Sequence, residues 1–226
     1  MKELQVSLYD VFGYVAPGVF AFLGMYLLGW RLVLPPEIDW STVSTGGWIV
    51  ILLISYFLGH AVQALANLFV KRLIKVSPEA KELADINSSS PKVYATFVKS
   101  ACRVTELPDD SSLPSDILFE IADSYLMQHG KTESRDVYIY REGFYRGLMV
   151  SLVLFAIGAI AMMTGPNGTL QIFDTLLCLH SGFFGAIAAL SLGISFLSFR
   201  RFQRFSTYRV RNSVFGFLAI ARDIRN

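Results

Sequence analysis

Charge is scarce in this sequence. Only 17% of its 226 residues are Asp, Glu, Lys or Arg, where a soluble chain carries about a quarter. Cysteine is scarcer still, with two in all. Cys102 and Cys178 fall in segments of different character, one polar and one apolar, so neither a disulfide framework nor a thiolate metal site follows from them. The short signatures of chemistry are missing too. There is no phosphate-cradling glycine loop, no HExxH, no paired CxxC and no glycine-flanked nucleophilic serine. The histidines His60, His129 and His180 are scattered, and no carboxylate flanks the two that lie in apolar stretches. These absences point away from an enzyme. We expect no catalytic residue, no metal and no cofactor.

What fills the space is hydrocarbon. Hydrophobic residues make up 53% of the chain, the mean hydropathy is +0.47, and the apolar residues fall in long blocks. The most informative block is Trp48–Val70, 23 residues closed by Lys71-Arg72. At 1.5 Å per residue, a helix of that length crosses the roughly 30 Å hydrocarbon core of a bilayer. It differs from a plain anchor in carrying Ser55, Gly59, Gln63 and Asn67 four apart, with His60 beside them. That spacing lines them along one helix face. Lipid tails cannot hydrogen-bond, so an amide or imidazole at this depth turns toward protein or water. The face therefore reads in two ways: a helix–helix seam, or a polar path for ions.

Taken in order, the chain begins with residues 3–14, a short amphipathic stretch suited to the membrane interface. Pro17 then suits the first turn of a first span running to about Leu34, or marks a kink in one longer helix. Pro35–Gly47 is a connector, with Trp30, Trp40 and Trp48 around it as an aromatic belt. Residues 71–146 hold 11 Lys/Arg and most of the acids, which marks a water-facing insert. Ser77-Pro78-Glu79 and Ser90-Pro91 are helix starts. Val93, Tyr94, Phe97, Val98 and Ala101 form one apolar stripe, and Ile117, Leu118, Ile121, Ala122 and Tyr125 form another. A third span, Gly147–Thr164, continues the end of the insert. After the turn Gly165-Pro166-Asn167-Gly168 comes a fourth, Ile172–Phe199.

That last span carries Ser181, Gly185, Ala189 and Gly193 four apart, a ridge that lets another helix approach closely. The tail, Arg200–Asn226, has seven arginines. Arg200, Arg201, Arg204, Arg209 and Arg211 suit anionic lipid headgroups, at about 1 kcal/mol per basic residue near the surface. Phe202, Val210, Val214, Phe217 and Ala221 recur at helical spacing, so the tail reads as an amphipathic extension of the fourth span.

The fold class that follows is an all-α polytopic membrane protein. Four transmembrane helices carry a small helical cytosolic insert between spans 2 and 3, and an amphipathic C-terminal helix. Its parts are 1–70, 71–146, 147–199 and 200–226. Orientation follows from counting Lys and Arg: 11 in the insert, seven in the tail, one at the N-terminus (Lys2) and one across the two opposite loops (Arg31). The positive-inside rule then puts both termini and the insert in the cytoplasm.

The run Tyr9-Asp10-Val11-Phe12-Gly13-Tyr14 followed by Pro17-Gly18, together with the arginine-rich tail FRRFQRFSTYRVRNSVF, resembles small multispan inner-membrane proteins found in bacterial phage-defence systems. The resemblance covers those short segments and transfers no functional residue. It implies a defence or stress role at the inner membrane. The expected function is an oligomeric inner-membrane sensor or effector, triggered through its insert, with pore opening as its simplest output. A non-conducting scaffold that recruits a soluble effector is the alternative. A small transporter is the third reading, weakened by the lack of an internal repeat and of carboxylates within the spans. The expected partners are the lipid bilayer, further copies of the chain, and a soluble cytosolic protein docking on 71–146. The insert interleaves its charges and has no aromatic stacking stripe, so no nucleic acid is expected.

Overall fold

The computed structural model describes residues 2–33, 43–73, 77–108, 113–163, 169–172, 175–178 and 181–223. Expectations resting on Pro35-Pro36, Trp40, the Gly165–Gly168 turn and His180 lie outside these residues. The described chain is helical. Its helices are α1 (Lys2–Val33), α2 (Thr45–Leu73), α3 (Pro78–Ser89), α4 (Pro91–Val104), α5 (Ser115–Gln128), α6 (Glu133–Met163) and α7 (Ser181–Asp223). Two short strands, β1 (Thr169–Ile172) and β2 (Thr175–Cys178), stand between α6 and α7.

Three of the helices are long and apolar enough to cross a membrane among the described residues. They lie within Thr45–Val70, Arg135–Met163 and Ser181–Ala221. Helix α1 contributes a shorter apolar stretch, Gly13–Gly29. The start of the chain is not an interfacial helix followed by a separate span. It is one helix, with Pro17 inside it and buried. Burial among neighbouring helices overrides the weak helix propensity of a single proline.

A second correction concerns the start of the fourth span. Residues 172 and 175–178 are not helical: β1 and β2 pair antiparallel, with Thr169 opposite Cys178 and Ile172 opposite Thr175. The helix begins only at Ser181. A short run of Thr, Leu and Ile satisfies a strand as well as a helix, and composition alone does not separate them.

The chain forms two compact units. The first comprises Met1–Lys71 and Gly143–Arg201, the second Arg72–Glu142 and Phe202–Asn226. In the first, Ala21, Val62, Ala66, Met149 and Val150 make one apolar cluster, and Leu27, Ala156, Ala159, Phe184 and Ala188 make another. These interiors are rich in alanine. The large apolar side chains point outward instead, with Phe57 68% and Leu68 60% exposed on α2. Small inside and large outside is the pattern of helices packed in lipid, where burial away from water drives nothing and close backbone approach does the work.

The second unit has the opposite pattern, with bulky residues inside. Leu83, Phe97, Leu118, Phe119, Tyr125 and Leu126 of the insert pack around Val210, Val214 and Phe217 of α7. Helix α3 starts as its sequence predicts. Ser77 Oγ accepts from the Ala80 N–H, Pro78 takes the first turn and Glu79 sits at the positive helix end. Helix α5 stops at Gly130, whose φ of 63° lies in the left-handed region that favours glycine. The tail is therefore not a separate part. It completes the core of the insert.

Candidate functional site

The face of α2 predicted to be polar is where the first unit is tightest. Gly18 of α1 sits against the backbone of Ser55, and Gly59 sits against the carbonyl of Tyr14, with no room for a β-carbon at either position. Farther along α1, Gly24 and Gly158 of α6 form a second crossing, where a β-carbon on Gly158 would lie 2.5 Å from the Gly24 oxygen. Both Ser55 and Gly59 are buried. Gln63 Nε2 donates to the Gly143 carbonyl of α6 at 2.6 Å, and the same side chain fills the space beside Gly147.

Ser55, Gly59 and Gln63 thus belong to a seam between helices. Among the described residues, one amide hydrogen bond serves it as glue. Ser55 Oγ and Gln63 Oε1 are buried without a hydrogen-bond partner among the described residues, so close packing carries the seam.

His60 and Asn67 turn the other way. Both are exposed. They lie seven residues apart, two turns along one face of a helix with 3.6 residues per turn. The His60 ring stacks on Tyr14 at 3.8 Å and meets Tyr56 edge-on at 4.7 Å, which fixes its plane. The sequence placed four residues on one face, with His60 beside them. The structure keeps three in the seam and leaves two outside it.

The predicted ridge on α7 is mostly open. Ser181, Ala189 and Gly193 are exposed, a β-carbon on Gly193 would meet nothing within 4 Å, and one on Gly185 would meet the end of Met163. The face that packs inside the chain is the adjacent one, with Phe184, Ala188, Ser191, Ser195 and Ser198 buried. Ser195 Oγ donates to the Met149 carbonyl at 2.9 Å.

The arginines of the tail divide. Arg200 lies over the Phe196 ring and Arg204 over Tyr208, both exposed. Arg201 is exposed as well. Arg209 is not available to lipid. Its guanidinium bonds Glu79 of α3 and Glu142 of α6, lies 5.1 Å from the Phe119 ring of α5, and leaves its side chain 14% exposed. Arg211 pairs with Glu82, a carboxylate that is itself buried. Beyond the apolar run that ends before Arg200, burial works against the charge on Arg209. Glu142 and Glu79 outweigh it and hold the pKa above the ordinary arginine value.

Sequence reasoning missed this four-helix clamp, because Glu79, Glu142 and Phe119 are distant in sequence from Arg209. It also missed the glycines of α1, although Gly18, Ala21 and Gly24 recur every three residues and mark a helix face with little bulk. His129 Nδ1 stands 2.8 Å from the Tyr125 carbonyl, a local helix end. Among the described residues no group of three His, Cys, Asp or Glu is placed to hold a metal ion. No protein-family model, curated protein or solved structure matches the chain.

Proposed function

We propose that this chain is a multi-pass bacterial inner-membrane protein that works as an oligomeric sensor or effector in antiviral defence or stress response. In this reading α1, α2, α6 and the first part of α7 are the four spans, and both termini face the cytoplasm. The second unit receives the signal and the spans answer it, most simply by opening a polar path. The observation that carries the reading is the exposure of His60 and Asn67 within Trp48–Val70, where every other exposed residue is apolar. A polar side chain does not rest against lipid tails when protein or water is within reach. A second copy of the chain supplies either one. The path then lies between copies, because the Ser55–Gly59 face is closed by α1.

The test is conductance of purified protein in liposomes, with the membrane potential followed in cells that express it. Oligomers that pass ions, and lose the current when Asn67 and His60 become leucine, support the reading. A tight, non-conducting membrane that retains a stoichiometric soluble protein favours the scaffold instead. One observation supports that alternative: the second unit is a folded domain with its own aromatic core, more than a topology signal requires.

A further inference from the structure

Charge is segregated among the helices of the second unit. Helix α4 carries Lys92, Lys99 and Arg103 with no acid, while α5 carries Asp116, Glu120 and Asp123 with no base. Asp123 is taken up by Arg135 and Ser213. Lys92, Asp116 and Glu120 are exposed and make no ion pair among the described residues.

Each of these charges borders exposed apolar surface. Lys92, Val93 and Thr96 of α4 face Phe215, Leu218 and Ala219 of α7 across a groove of about 480 Å³. Phe215 is 51% exposed there. On α5, Ile117 is 42% exposed and stands between Asp116 and Glu120, on one helix face with Ser124. One patch is an apolar groove with a basic rim. The other is a shallower face with an acidic rim, where Ile117, Ile121 and Ser124 line a dip of about 370 Å³ beside Val104 of α4.

We propose that the two are halves of one contact: the α4–α7 groove of one copy takes the Ile117 face of α5 from a second copy. The aromatic and aliphatic side chains form the dry centre, and Lys92 opposite the α5 carboxylates sets the register. Each copy uses two different patches, so the contact is heterologous and propagates into a ring if the rotation closes. The inference rests on the oligomeric part of the reading above and names a surface for it.

The test uses full-length chains with two different tags and Cys178→Ser, co-expressed and treated in membranes with a short bismaleimide. One copy carries Thr96→Cys at the groove, the other Ser124→Cys on the α5 face. We expect a cross-link between the tags in the mixture and none when either variant is expressed alone. Lys92→Glu on the groove copy should lower its yield about tenfold, the order expected when an attractive charge pair becomes less than neutral. Adding Glu120→Lys to the copy that presents its α5 face should restore most of it. Oligomers of unchanged size with no cross-link in the mixture overturn this surface while leaving the oligomer standing. A monomer overturns both. A loss on Lys92→Glu that Glu120→Lys fails to restore also overturns the proposal, and assigns the groove to another acidic partner.

Discussion

Gly18 of α1 lies so close to the Ser55 carbonyl of α2 that a β-carbon there would overlap the oxygen. The crossing is reciprocal, since Gly59 presses on the carbonyl of Tyr14 one turn earlier on α1. Two helices that touch through their backbones gain dispersion contacts along their whole crossing, and lose them together if pushed apart. Gly18→Ala and Gly59→Ala should each lower the thermal stability of the detergent-purified protein, by about 1–3 kcal/mol, the usual cost of overpacking. Gly193→Ala should not, because its surroundings are open in the chain. Equal melting temperatures for all three would mean that α1 and α2 do not cross in this way.

Arg209 is the second place where one side chain holds several helices. Arg209→Met would keep most of the packing but leave Glu79 and Glu142 without their cation. Removing one partner of a largely buried ion pair costs about 3 kcal/mol. We expect faster hydrogen exchange in α3 and α5, while Arg204→Met, at an exposed position on the same helix, has little effect. Alkaline conditions should not mimic the mutation. A pKa raised in the folded state gives stability that is present below the unfolded value. It is lost only as the pH rises through the folded one, which for this arginine lies beyond the ordinary alkaline range.

Topology is checked separately. Reporters fused after Asn226 or within Pro108–Pro114 should read cytoplasmic, and one within Pro35–Gly46 should read external. This follows from 18 of the 20 Lys and Arg lying in the insert and tail, counted as 11 plus seven. An insert that is labelled only from outside would invert the assignment.

The long apolar helices and the core of the second unit were legible for the same physical reason. Long apolar blocks and apolar stripes at helical spacing are local signals. Phe97, Leu118, Val210 and Phe217 could be placed on buried faces from their neighbours alone. What the sequence did not show is which elements share a core. The tail reads as a basic surface helix until Val210, Val214 and Phe217 are seen inside the insert and Arg209 between its carboxylates. The polar face of α2 was legible as a face but not as a division. Four-residue steps drift by about 40° each at 3.6 residues per turn, so Asn67 stands about 120° round α2 from Ser55 and outside the side that packs. The β1–β2 strand pair escaped because a run of Thr, Leu and Ile gives no period long enough to decide.

The last prediction separates path from packing on α2. Gln63 is fastened to the Gly143 carbonyl, so Gln63→Leu should cost stability only slightly. Hydrogen bonds between membrane helices are worth roughly 0.6 kcal/mol on average. Oligomer size and membrane depolarisation should survive the change. Asn67 and His60 have no such hydrogen bond among the described residues and lie two turns apart on the exposed face. Replacing both with leucine removes the hydration sites that a passing ion would use, and an apolar constriction dewets. The fold should hold, because neither residue is buried. We therefore expect the His60→Leu/Asn67→Leu variant to express and assemble normally and to pass no current. Asn67→Asp should shift selectivity toward cations by adding a negative charge at the same place. If the double leucine variant conducts as the native protein does, the exposed face of α2 does not line the path. The membrane helices then serve to hold the second unit at the bilayer.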